Sequence, residues 1–113
     1  MQILTEQKMI TGILPRGTSG SVLHKLKSEK GIITAFVNTA RGMGKLMPGV
    51  QRGLGAQTEK EILEVLVDAD RADEIFAYIY EIAEIDRPHG GIIFIAKVRQ
   101  MTPYLLPDLP EGK

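Results

Sequence analysis

Apolar and polar positions alternate along this chain in two distinct rhythms. Residues 9–14 (MITGIL) form a short apolar run closed by Pro15, the mark of a buried strand. The next stretch, PRGTSGS (15–21), reads as a turn in which the hydroxyl of Ser19 or Ser21 could cap a helix by accepting an orphan first-turn N–H. Val22, Leu23 and Leu26 then share one face at helical spacing. Gly31, following Lys27 and Lys30, marks that helix's C-terminus. Residues 32–39 (IITAFVNT) are rich in β-branched and aromatic side chains and predict a strand. Further on, 62–67 is apolar on one face and nearly so on the other, as in a central strand covered on both sides. Residues 68–73 predict a loop leading into a helix with Ile75, Ile79 and Ile82 on one face and Phe76, Tyr78 and Ala83 beside it. DRPHGG (86–91) is a tight turn, and 92–98 (IIFIAKV) a last strand. The tail from about 102 to 113 holds three prolines and predicts an extended arm.

The order is β-α-β, a long connection, then β-α-β. It predicts an α+β, ferredoxin-like βαββαβ sandwich, an antiparallel sheet with two helices on one face. The other face of such a sheet is left bare. Because the strands at 62–67 and 92–95 are apolar on both sides, that face should meet a partner, and a homo-oligomer with packed sheets is expected.

Composition narrows the picture. The 113 residues suit one domain, and 43% hydrophobic content is enough for a small core. Fourteen basic and fourteen acidic residues balance to a net charge of +0. That argues against a general grip on nucleic acid, which wants a basic excess. There is no cysteine, hence no disulfide and no thiolate chemistry. The opening residues are broken by Glu6, Gln7 and Lys8 and show no signal-peptide core, and no apolar run approaches a membrane span. A cytoplasmic protein without direct membrane insertion is expected.

The long connection is the chemically suggestive part. The stretch 36–62 carries five glycines, one proline and four basic residues. In ARGMGK (40–45), glycine frees the backbone to present N–H groups while Arg41 and Lys45 add positive charge, a sensible phosphate cradle or simply a loop. The Met43 and Met47 pair could form a soft contact surface or ordinary loop packing. In DRPHGG the Gly90 and Gly91 amides, with Arg87 as a charged arm and His89 beside them, could contact an anion; the alternative is a plain helix-to-strand turn. PRGTSGS could bind an anion at a helix N-terminus, though a capping turn is the readier reading. Glu59, Glu61 and Glu64 read as an exposed strand edge, or as partners of Lys60 or a neighbouring chain. No His/Asp/Glu cluster has metal-ligand spacing, and no metal is expected.

TARGMGK (39–45), EKEILEVLV (59–67) and DRPHGGIIFIAKV (86–98), in this order and spacing, resemble the PII signal-protein superfamily over residues 8 to 104. The resemblance implies a trimeric PII-like assembly of a single domain over 1–113, with a T-loop-like segment at about 41–59. It implies a cytoplasmic signal-transduction protein of the nitrogen-regulation type, not an enzyme. A small ligand would bind between subunits, and the T-loop would signal to a transporter or metabolic enzyme. By this resemblance Arg41, Gly42, Met43, Gly44 and Lys45 stand where the family's Gly-x-Gly approaches a nucleotide. Lys60 matches the basic residue that meets phosphate at the T-loop exit. Arg87, His89, Gly90 and Gly91 fall in the phosphate-wrapping B-loop. No cofactor is required; the implied ligand is ADP, AMP or ATP.

The departures from the family are specific. Its B-loop lysine is Ile92 here, its C-terminal arginines fall at about Pro103 and Leu105, and Leu46 replaces its glutamine. The T-loop is shorter and lacks the modifiable tyrosine. They speak against ordinary ATP and 2-oxoglutarate sensing and against uridylylation, and favour AMP, ADP or another anion such as bicarbonate. Two alternatives remain at this level. GVQRGLG (49–55) faintly resembles the acylphosphatase loop, but follows the second strand rather than the first. A ligand-free structural oligomer would use the same fold.

Overall fold

The structure, a computed structural model, describes residues 1–40 and 60–103. Among the described residues, four strands, β1 (Gln7–Pro15), β2 (Ala35–Ala40), β3 (Lys60–Asp68) and β4 (Ile92–Val98), and two α-helices, α1 (Ser19–Lys30) and α2 (Ala72–Ile82), follow one another as β1-α1-β2-β3-α2-β4. A short 3₁₀ turn, Ala69–Arg71, leads into α2. The sheet runs β2-β3-β1-β4 with every neighbouring pair antiparallel. This is the expected ferredoxin-like α+β arrangement, in which each βαβ half contributes one central and one edge strand.

Register fixes the two faces. Side chains alternate along a strand, and residues opposite one another share a face. Ile10 pairs with Val65 and Ile95, and Leu63 with Gly12 and Val37. Ile10, Leu14, Leu63 and Val65 are buried beneath Val22 and Leu26 of α1 and Ile75 and Ile79 of α2, so the core lies between sheet and helices. Leu23 and Ile82, expected on the buried helical faces, pack at the margin of this core.

The opposite face carries Met9 and Ile13 of β1, Phe36 of β2, Ile62, Glu64 and Leu66 of β3, and Ile92 and Phe94 of β4. β3 is thus central, but only its helix-facing residues are fully buried. Ile62, Glu64 and Leu66 are half-buried, and Ile92 and Phe94 are 56% and 46% exposed.

β2 begins at Ala35, later than the β-branched run promised. The reason is the end of α1. Gly31 takes the left-handed conformation at φ 68°, and the N–H of Ile32 donates to the Leu26 carbonyl at 3.0 Å. That turns Ile32 into the core before the strand starts. Across the helices, the Tyr78 hydroxyl donates to the Lys25 carbonyl at 3.3 Å and to the Glu29 carboxylate, while Lys30 lies 4.8 Å from the Tyr78 ring centre. At the outer ends of the strands, Leu4 and Met101 form an isolated antiparallel bridge where the tail begins. Residues 104–113, most of the expected arm, lie outside the described residues, as does the T-loop-like segment 41–59.

Candidate ligand site at one end of the sheet

Lys60 opens β3, paired with Pro15 at the end of β1 and Ala40 at the end of β2. The 86–91 turn opens β4, whose Ile92 pairs with Ile13. Antiparallel order therefore brings the candidates on the described residues to one end of the sheet. Lys60 and the turn stand on either side of β1, roughly 10 Å apart at two strand spacings. They do not touch. Among the described residues no hydrogen bond or ion pair joins Lys60 to the turn. Arg41, Gly42, Met43, Gly44 and Lys45, and the 49–55 loop, lie outside the described residues.

The turn's conformation comes from its backbone. Glu84 and His89 hold positive φ of 54° and 61°, and Gly91 holds 105°. The Arg87 N–H donates to the Glu84 carbonyl at 3.2 Å, and the Gly90 N–H to the Arg87 carbonyl at 2.9 Å. Gly90's amide is thus engaged inside the turn, whereas among the described residues no such turn bond engages the Gly91 amide. Both glycines are required by packing. A Cβ on Gly90 would stand 2.6 Å from the Glu84 carbonyl oxygen, and one on Gly91 would stand 2.2 Å from that of Ile13. The Arg87 guanidinium reaches the Glu84 carboxylate at 3.8 Å, an exposed pair that leaves it available to a stronger anion. His89 is exposed at the tip.

One residue at this end has partners that its place in the sequence does not suggest. Glu61 is neither a bare edge residue nor a partner of Lys60. Its carboxylate accepts the Gly17 N–H at 3.0 Å, the Ser19 N–H at 2.9 Å and the Ser19 hydroxyl at 2.5 Å. Thr18 occupies the N-cap position without a side-chain cap bond. Ser19 donates to Glu61 rather than accepting a backbone N–H as a cap would. The helix N-terminus does hold an anion, as PRGTSGS allowed, and the anion is this chain's own side chain. The Ser19 hydroxyl chiefly, against the opposing effect of burial and with help from the Gly17, Ser19 and Thr18 amides, holds Glu61 below the usual carboxylate range. No signal along 59–64 could have revealed this, because the contact spans 42 residues.

Among the described residues no group of three His, Cys, Asp or Glu could hold a metal ion, and no helix is long and apolar enough to cross a membrane. No family model matches the chain and no curated protein matches it. Among solved structures it is similar to PII from Arabidopsis thaliana bound to citrate, with 21% identity and a TM-score of 0.64 over 83% of this chain and 78% of that one. At this identity the likeness is one of architecture, and the chain has the PII-like form of the ferredoxin-like fold.

Proposed function

We propose that this protein is a PII-like regulatory signal protein that binds a small anionic ligand and catalyses no reaction. The supporting observation is the PII-like fold with basic groups, Lys60 and Arg87, gathered at the end of the sheet from which the 41–59 segment departs. The ligand is an adenine nucleotide, AMP or ADP ahead of ATP, or a compact anion such as bicarbonate. The PII neighbour's citrate adds a polycarboxylate to the candidates. Lys60 and Arg87 neutralise the ligand, the Gly91 amide and His89 contact it, and residues 41–45 complete the site. Since Lys60 and the turn diverge around β1 within one chain, ligand contacts are completed between subunits of a homotrimer. The apolar open face around Ile13, Leu66, Ile92 and Phe94 supports that assembly. The 41–59 segment signals occupancy to a transporter or metabolic enzyme in the cytoplasm.

Calorimetry of the full chain against AMP, ADP, ATP, bicarbonate and citrate tests the reading. One of these should bind, and Lys60→Ala should weaken it about tenfold, the loss of one charge-assisted contact. Sedimentation should give a trimer, and Phe94→Asp should dissociate it. Silence across the whole panel, or a monomer at all concentrations, would refute the proposal.

A further inference from the structure

The root of β3 and the first turn of α1 are joined by one side chain. Glu61 lies on the helix-facing side of β3, in line with Leu63, while Lys60 points to the other face. Its two carboxylate oxygens divide the work. Oε2 takes the Gly17 amide, and Oε1 takes both the amide and the hydroxyl of Ser19. Gly17 holds φ 89°, and this left-handed residue turns its N–H toward the strand. The residues opposite Glu61 in the ladder, Leu14 of β1 and Thr39 of β2, do not ionise. The first turn of α1 carries no acidic side chain, and Arg16 is the charged residue of the connecting turn. Among the described residues, hydrogen bonds to its charged form are what hold Glu61.

We propose that the ionised Glu61 side chain is a latch that makes the N-terminal turn of α1 and the root of β3 move as one piece, and that neutralising the carboxylate uncouples them. An ionised carboxylate offers acceptors on both oxygens, as the three donors require; a protonated one places a hydrogen on one oxygen and weakens the set. The sign follows from the lowered folded-state pKa. The latch is closed above the ordinary carboxylate range and opens as pH falls through the folded value. The strand root it fixes also carries Lys60, but the latch needs no ligand, so it stands or falls apart from the function proposed above.

The test is amide NMR on the full chain. The Gly17 and Ser19 amides and the Glu61 carboxyl carbon should titrate with one shared midpoint, below the ordinary carboxylate range. Glu61→Gln should abolish that titration and lower exchange protection at Gly17 and Ser19 about tenfold, leaving Leu63 and Val65 protected. Glu61→Ala should lose the same protection and regain it when formate is added. Unchanged protection at Gly17 and Ser19 in Glu61→Gln would overturn the latch. If that variant also loosens Leu63 and Val65, the wild-type titration decides, and separate midpoints for the two amides and the carboxyl would overturn it.

Discussion

Replacing Gly91 by alanine asks the fold to accept two separate insults, and their sizes follow from the structure. At φ 105° an L-residue is strained by about 1–3 kcal/mol. The new Cβ would lie 2.2 Å from the Ile13 carbonyl oxygen, where ordinary contact begins at 3.4 Å. That oxygen is backbone, fixed by the pairing of β1 with β4, so it cannot swing aside as a side chain would. Relief requires the head of β4 to move away by about an ångström, at the Ile13–Ile92 pair. One or two ladder hydrogen bonds would weaken, adding about 1–2 kcal/mol. The total, roughly 2–5 kcal/mol, is a large part of the ~5–15 kcal/mol that holds a domain together.

Gly31 supplies the control. It also has a left-handed backbone, at φ 68°, but a Cβ there would meet nothing within 4 Å. Gly31→Ala should therefore cost only the conformational term, about 1–2 kcal/mol. Urea unfolding of both variants, at one protein concentration because oligomerisation would shift the midpoint, gives the comparison. Gly91→Ala should lose about 2 kcal/mol more than Gly31→Ala. Equal losses would refute the packing argument and leave Gly91 to be explained by something other than the fold.

Two further outcomes follow from the packing of sheet and helices. Leu63 is fully buried between β3 and the helices, so Leu63→Ala should cost about 3 kcal/mol in the same urea assay, with a smaller loss indicating that the helices collapse onto the gap. Burial chiefly, with the Glu29 hydrogen bond adding to it, pushes the Tyr78 hydroxyl up to about 12. A raised folded-state pKa gives stability that is complete below the ordinary tyrosine value near ~10 and is lost as pH rises toward 12. Tyr78→Phe should cost about 1 kcal/mol at neutral pH through the lost hydrogen bonds, and the gap from wild type should narrow in that alkaline window; a gap that stays constant to pH 12 would contradict the assignment.

The elements were legible where their signals are local. The alternation of 62–67, the helical spacing of Val22 with Leu26 and of Ile75 with Ile79, and the left-handed glycine after Lys30 each report on neighbours within a turn or a pleat. The start of β2 was not legible. β-Branched composition marks Ile32 and Ile33 as extended-chain formers, but says nothing of the helix end that draws Ile32 inward. Glu61 was beyond reach for a related reason. A carboxylate in an alternating strand shows its face by period, whereas the helix turn it serves is brought there only by the β1–β3 register.

The glycine turn at 86–91 carries the sharper lesson for the candidate site. In sequence, Gly90 and Gly91 counted toward ligand binding, because a phosphate-wrapping loop needs backbone without side chains. The structure shows that the fold needs the same two glycines with no ligand at all: carbonyl oxygens of the turn close over Gly90, and β1 closes over Gly91. One residue type satisfies both demands, so its presence cannot separate them, and the amide of Gly90 is already committed to Arg87. What the fold does not require at this end is the positive charge. Neither Lys60, half-buried at the head of β3, nor Arg87, loosely paired with Glu84, is needed to close a turn or fill the core. A binding experiment therefore bears on function through Lys60 and Arg87, while a glycine variant that loses ligand has first to be shown to keep its fold.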